Sequence, residues 1–587
     1  MAALSHIPHL GGWPRSNIWT RLRTWSGEMS FRSSEDRTAK HFSRGTMLAS
    51  KGQYREALKY FDKVLSIAPR HLDAINNRGN CLALLSRYEQ AIASFDQLLA
   101  VRPDDIRARS NRASALKSVG RLEEAMVDYD IVLGAAPNYI DALFNRGNAY
   151  IDIGRPKEAI RDLRRALELS PNNTDIHSSL IFALNFDTDA TTESLQAERT
   201  KWAPHLRLSG IPKHSNEPSP DRKLRVGYVS SHFRHQAATY AFGGVIVHHD
   251  PEQFEIVCYS DTAEEDDLTP HLRNSAQKWH RTIHFSDDQL AELVRTDRID
   301  ILVDLVGHMK GNRLRVFARK PAPVQVTAWG EPTGTGLRAI DYLFADPVVI
   351  PKSERALLAE QVADLPNFIG YWSPDPLPDP GPVPAIERGY VTFGSFNRLA
   401  KITDPVLRRW SAILRAVPNS RLVLKDRPLA PKHQWSVITK VLAEEGIAAD
   451  RVALLDHVGR TAHFAAYRDI DLALDPFPHG GGMTTLDALW MGVPVVTAPG
   501  RIISSRIAAA TLTAAGLTDF IAADHKHYIE LATNKANDLS SLAHLRSTLR
   551  LRLASTNFGD PVRYARAVEH QYRSIWHKWC DSQIRKT

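Results

Sequence analysis

Prolines 69, 103, 137 and 171 stand 34 residues apart, and the same register carries Ala57, Ala91, Ala125 and Ala159, then Phe61, Phe95, Tyr129 and Leu163. A period of that length holds one pair of helices with their turns. Each pair has an apolar face that only the next pair can cover, so the units must stack in a row. Small residues, Gly79 and Gly147 among them, fall where the two helices of a unit touch. The proline closes the second helix, because it lacks an N–H and its ring clashes with the preceding turn. Such a stack curves into a superhelix whose concave face suits extended peptide. Asn77, Asn111 and Asn145 share one position on the first helix of successive units, with Ser43 and Ser179 in that register at the two ends. An amide both donates to and accepts from a peptide backbone. Such asparagines can equally satisfy neighbouring helix ends, and the sequence leaves both readings open.

The pattern is that of tetratricopeptide repeats, over residues 36–185, with a single fifth helix at 175–185 in register with the first helices before it. Residues 1–35 read as a disordered lead: they are rich in Arg and Ser, carry Trp13, Trp19 and Trp25, and lack the apolar core of a signal peptide. Residues 186–221 read as a connector containing one helix and then the polar, proline-bearing run from Gly210 to Asp221. From Lys223 the period changes. Leu224–Ser230, Phe254–Ser260, Ile301–Leu305 and Val324–Trp329 are short apolar runs with helical stretches between most of them, which predicts a parallel sheet covered on both faces. The proline-rich stretch Tyr371–Pro384 interrupts the alternation, which resumes at Val391–Gly394, Arg421–Lys425, Val452–Asp456, Asp471–Asp475 and Val493–Thr497. The expected architecture is an α-helical repeat superhelix followed by two doubly wound α/β domains, residues 222–380 and 381–587. A cleft is expected where the carboxyl ends of their strands face each other. The segment Asp560–Cys580 reads as an amphipathic terminal helix packed across both halves.

A chain of 587 residues is too long for one core, and 43% hydrophobic with 24% charged residues is a globular composition. No apolar run approaches the ~20 residues of a membrane span. Cys81, Cys258 and Cys580 lie far apart with no metal-ligand spacing, which points to a reducing, cytoplasmic compartment. The net charge of +8 is concentrated at the ends: residues 1–45 carry seven Lys/Arg against three Asp/Glu, and residues 541–587 nine against three. With the middle near neutral and no basic face interleaved with aromatics, nucleic-acid binding is disfavoured. No HExxH, P-loop, CxxC or Gly-x-Ser-x-Gly motif is present, so His479-Gly-Gly-Gly is no lipase oxyanion loop, and proteolysis, Walker-type hydrolysis and thiol exchange have no support.

The densest chemistry lies at Leu474–Val496, where an apolar strand breaks into Gly480, Gly481 and Gly482 and then opens a helix at Thr484. The first N–H groups of a helix have no intrahelical partner, so an anion is stabilised there by hydrogen bonds and by the helix dipole. Lys401, in the loop after the first strand of the second half, is placed to neutralise a diphosphate, with Asn397 and Arg398 beside it. Arg460 and His463 follow another strand end, and Asp487 lies one turn into the helix after the glycines. In the first half the candidate catalytic histidines are His235, within Ser230–Ala237, and His308 after a strand, followed by the glycine-rich 330–336. No metal ligand set is expected.

Arg-Val-Gly-Tyr-Val-Ser at 225–230, Ile-Leu-Val-Asp-Leu-Val-Gly-His at 301–308, the run 317–326, Phe-Gly-Ser-Phe-Asn at 393–397 and Ala-Leu-Trp-Met-Gly-Val-Pro-Val-Val at 488–496 follow the repeats in order. The combination resembles the bacterial O-GlcNAc transferase and SPINDLY-like glycosyltransferases. The resemblance implies a GT-B fold of two Rossmann-like domains and inverting, metal-independent transfer of a sugar to Ser or Thr hydroxyls of proteins. UDP-GlcNAc would be the co-substrate, with no other cofactor. It implies that Lys401 stabilises the leaving diphosphate, that Thr484 and Thr485 hold phosphate, that Asp487 binds the ribose and that His463 lies beside the nucleoside. Arg398 stands where Gln or Asn is usual and Met483 where Thr is frequent. Gln236 takes the place of the histidine after the first strand, with His235 one place early, and Glu331 replaces a tyrosine. Those departures keep two further readings open: another donor such as GDP-fucose, and a decayed enzyme serving as a repeat scaffold. Oligomerisation is left open.

Overall fold

The computed structural model describes residues 33–206, 213–374, 376–426, 432–456 and 458–585. The lead expected at 1–35 lies outside them up to residue 32, and the first helix opens at Ser33. Contacts divide the chain into two compact units, one of residues up to 152 with 158–176, the other of 153–157 with 177 onward.

The first unit is a row of helix pairs: Ser33–Ser50 with Tyr54–Ile67, Leu72–Leu84 with Tyr88–Leu99, Ile106–Ser118 with Leu122–Ala135, and Ile140–Asp152 with Pro156–Leu169. The periodic alanines and the aromatic or leucine residues four positions after them are fully buried, from Ala57 and Phe61 to Ala159 and Leu163. A Cβ on Gly79 would sit 2.6 Å from the ring of Phe95, so glycine is what lets these two helices approach. A second 34-residue ladder is ionic. Arg112 donates to Asp96 of the preceding unit at 2.6 Å and to Asp128 of its own at 2.7 Å. Arg146 does the same with Asp130 and Asp162, and Arg78 with Asp62 and the hydroxyl of Ser94. Asn111 and Asn145 are buried, and the Asn111 amide donates to Asn80 at 2.9 Å, so that side chain serves a neighbouring helix.

The second unit contains two all-parallel sheets. The first has seven strands, β1 (Leu224–Ser230), β2 (Phe254–Ser260), β3 (Lys278–Arg281), β4 (Ile301–Asp304), β5 (Val324–Thr327), β6 (Tyr342–Ala345) and β7 (Gln361–Asp364), in the order β3-β2-β1-β4-β5-β6-β7. The second has five, β8 (Thr392–Ser395), β9 (Arg421–Lys425), β10 (Val452–Leu455), β11 (Leu472–Leu474) and β12 (Val495–Val496), in the order β10-β9-β8-β11-β12. In both, the order reverses direction at the first strand, which opens a crevice at the carboxyl ends. Strands buried on both faces read as continuous apolar runs, which is why β1, β2, β4 and β5 are visible in the sequence. β3 and β7, at the sheet margins, are not, because they mix charged with apolar residues, and β6 is a four-residue apolar run outside those expected from the sequence.

Two expected boundaries move. The helix Thr174–Leu184 lies in register with the repeats, yet from His177 it belongs to the second unit. Its Ser178 bonds His308, Asn185 just past its end bonds Glu331, and Ile181 packs into the core beneath the first sheet. The connector is likewise structural, since its helix Thr192–Trp202 buries Arg199 and Trp202 there. The terminal helix, Pro561–Ile584, hydrogen-bonds the first half rather than spanning both halves evenly: Tyr572 meets Tyr228 at 3.1 Å, Glu569 meets His249 at 3.0 Å and Tyr564 meets Trp329 at 2.9 Å.

Candidate active site

Three strand ends of the second sheet meet at one point. After β11, Asp475 accepts from the backbone N–H of Gly481 at 2.6 Å and from Thr497 at 2.7 Å, which curls the glycine run back over the strand. The turn admits no side chain at 481: a Cβ would lie 2.7 Å from Thr485 Oγ1, 2.8 Å from Thr484 Oγ1 and 2.9 Å from Asp475 Oδ1. The helix Met483–Trp490 then starts with no side chain capping it, so its first N–H groups are left for an anion. After β8, Asn397 accepts from Thr484 Oγ1 at 3.0 Å, tying this loop to the helix start. Lys401 reaches over to the same turn, where Nζ donates to the carbonyl of Gly480 at 2.6 Å.

Lys401 and Asp475 perturb each other. Burial pulls the lysine down to about 8, resisted by Asp475 and assisted by the neighbouring positive charge of Arg398. Burial pushes Asp475 up to about 6, resisted by Thr497, the Gly481 N–H and Lys401. At neutral pH the lysine is a cation and the aspartate an anion, yet Nζ bonds a carbonyl. A partly desolvated cation held by a neutral acceptor beside open helix N–H groups favours an incoming polyanion. His479 stacks on Phe186 with ring centroids 5.1 Å apart, and burial together with Lys401 holds it well below the usual histidine range, hence neutral.

Beside this anion subsite lies a second cluster. Tyr371 donates to Asp487 Oδ1 at 2.9 Å, His463 Nε2 lies 3.5 Å from Asp487 Oδ2, and Lys425 Nζ lies 2.6 Å from His463 Nδ1. Phe396, Phe464 and Tyr467 surround the imidazole with centroids 5.4 to 5.8 Å away. Arg460 lies with its guanidinium 3.6 Å from the Tyr240 ring centroid and bonds Ser373 at 3.4 Å, linking the second half to the first.

Residues 205–373 and 385–568 match glycosyl transferase family 41, and residues 48–115 and 140–173 match tetratricopeptide repeats. The chain belongs to glycosyl transferase family 41. Its fold is GT-B. A mutant O-GlcNAc transferase from Thermobaculum terrenum superposes on this family 41 chain with a TM-score of 0.82 at 34% identity, covering 87% of this chain and 98% of that one. A tomato SPINDLY protein, named as a UDP-N-acetylglucosamine–peptide N-acetylglucosaminyltransferase, is 34% identical over 413 residues, or 69% of this chain and 44% of its own. The rice SPINDLY is 36% identical over 411 residues, 68% of this chain and 44% of that protein. The chain thus spans less than half the length of the curated relatives it matches.

Of the residues singled out in the sequence, Lys401, Asn397 and Thr484 come together at the anion subsite, while His463 and Asp487 come together in the aromatic cluster. Thr485 is buried behind the turn and Arg398 is exposed. The first-half histidines are engaged elsewhere. His308 is buried, its Nε2 bonding the Thr335 carbonyl at 2.9 Å and its Nδ1 facing Ser178 at 3.3 Å, and burial and Arg199 pull it down to about 3. Both nitrogens of a neutral ring are therefore occupied, which disfavours the expected catalytic role. His235 bonds Tyr240 through Nδ1 and Asp267 through Nε2. With Asp266 these groups converge within 4.8 Å, but Asp266 already accepts from the N–H groups of His235 and Leu268, so no metal site follows. Gln236 caps the helix Ala237–His248.

Glu331, one of the three departures with Gln236 and Met483 that left decay open, is fully engaged. It accepts from Asn185 and Arg199 at 3.2 Å, from Thr333 at 2.9 Å and from the His308 N–H at 2.8 Å. Sequence reasoning missed Lys425, Asp475 and Tyr371. Two had a signal: Lys425 ends β9 and Asp475 follows β11, at the carboxyl ends where doubly wound sheets place ligands.

Proposed function

We propose that the chain is an inverting glycosyltransferase that moves GlcNAc from UDP-GlcNAc to Ser or Thr hydroxyls of proteins recruited by the repeat array, in the cytoplasm and without a metal. The observation that carries this reading is Lys401, a desolvated cation over a glycine-cleared helix start. The acceptor oxygen attacks the anomeric carbon as the bond to the diphosphate oxygen breaks, and the hydroxyl proton passes to solvent or to the departing diphosphate. Negative charge then develops on the leaving diphosphate, where the ammonium of Lys401 and the N–H groups of Met483 and Thr484 stabilise it without reorganisation. One displacement inverts the anomeric centre. The names of the tomato and rice relatives support protein acceptors and the uridine donor.

The test is sugar transfer to lysate proteins with each of several labelled nucleotide sugars, alongside Lys401→Met. Transfer from UDP-GlcNAc, reduced on the order of 10² to 10³ in the variant, is expected. Transfer from a GDP-sugar instead would move the donor assignment. No transfer from any donor, with nucleotide binding intact, would leave a repeat scaffold.

A further inference from the structure

Lys425 is a buried ammonium, 3% exposed, whose hydrogen bond among the described residues goes to one neutral acceptor, Nδ1 of His463. An ammonium carries three donors, and a buried charge with a single neutral partner is costly unless something completes it. Its surroundings differ from those of Lys401. Lys425 feels Asp487 and Asp426, whereas Lys401 feels Asp475 and Arg398, so each cation answers to its own carboxylate. In the sheet, β9 lies next to β8 and away from β11, so Lys425 is displaced outward from the glycine turn, toward the aromatic rings. Nζ lies 5.3 Å from the centroid of Phe396. Because Lys425 donates to Nδ1, the His463 proton sits on Nε2, which faces Asp487 at 3.5 Å, so the cluster offers the remaining donors of Lys425, flat aromatic surface, and one acceptor carboxylate in Asp487. A diphosphate needs none of the last two. A nucleoside needs all three: ring faces for stacking, donors for base carbonyls and a carboxylate for ribose hydroxyls.

We infer that Lys425 is a nucleoside-recognition residue of the donor site, donating to a carbonyl of the base, and that it takes no part in holding the diphosphate. The inference rests on the nucleotide-sugar reading above. Binding of UDP and of inorganic pyrophosphate to the full chain, followed by calorimetry, separates the two subsites. Lys425→Met is expected to weaken UDP about ten- to a hundredfold, the range of a charged hydrogen bond, while leaving pyrophosphate within about twofold. Lys401→Met weakens both. Equal losses for UDP and pyrophosphate in Lys425→Met would overturn the assignment by making this lysine a phosphate cation, and unchanged UDP affinity would overturn it outright. Wild-type protein that binds neither UDP nor GDP would sink the nucleotide-sugar reading itself, a result distinct from any behaviour of the variant. Should Lys425→Met fail to fold, Lys425→Gln carries the same comparison with an uncharged donor.

Discussion

At the residue scale, two lysines of the second sheet are separated by what surrounds them more than by what they are. Burial disfavours the charged form of Lys401 and pulls it down to about 8, and a bound diphosphate would favour that form again. The sign follows directly. Below pH 8 the free site holds a cation and binds diphosphate fully; as pH rises through 8 the free site loses the proton that the complex keeps, so affinity falls by up to tenfold per pH unit. Thermal stabilisation by pyrophosphate, measured from pH 6.5 to 9.5, is expected to decline above about 8 in wild type and to show no such limb in Lys401→Met. A flat wild-type profile would mean that the lysine does not titrate in this range. Lys401 was legible from its loop position alone. Its partner Asp475 was read as the end of a buried strand, because its contacts with Gly481 and Thr497 join residues that only the fold brings together.

At the element scale, the repeats are held by two ladders of the same period, and only the apolar one was read from the sequence. Alanine, phenylalanine and proline recur as residue types, so periodicity exposes them. The ionic ladder recurs too, as Arg78, Arg112 and Arg146 with Asp62, Asp96 and Asp130, but which acid each arginine meets is settled only when neighbouring helix pairs stack. Asp128 is 3% exposed at its side chain and accepts from both Arg109 and Arg112. Replacing it with alanine leaves two guanidiniums half-satisfied between helix pairs. The expected loss lies between the roughly 1 kcal/mol of exposed pairs and the roughly 3–5 kcal/mol of buried ones. Urea unfolding of the full chain, with the repeat transition followed by far-ultraviolet circular dichroism, checks this, and a change under about 0.5 kcal/mol would assign the ladder to register rather than stability.

At the scale of the whole molecule, the second unit is closed by segments distant in sequence. The helices 174–184 and 192–202 hold the loops after β4 and β5 through Asn185, Arg199 and Glu331, and the terminal helix returns from the second half to cover the first. Arg199 has no exposed surface, so Glu331→Ala would strand a buried cation, at an expected cost of about 3–5 kcal/mol. Adding Arg199→Met should restore part of that loss, a non-additivity that a double-mutant cycle by denaturant unfolding would measure. Glu360 is a second carboxylate acting on Arg199, and strictly additive losses would show that it, rather than Glu331, balances the arginine. The sequence by itself determined the repeat register, the two parallel sheets, the glycine turn and the family, because each is written in local period, in continuous apolar runs or in contiguous motifs. Only the tertiary structure decided that the last in-register helix joins the second unit from His177, that Glu331 meets Arg199, and that Lys425 faces His463. Each of those depends on which buried charges meet, and residues far apart in the chain meet only after the sheets have twisted and closed around them.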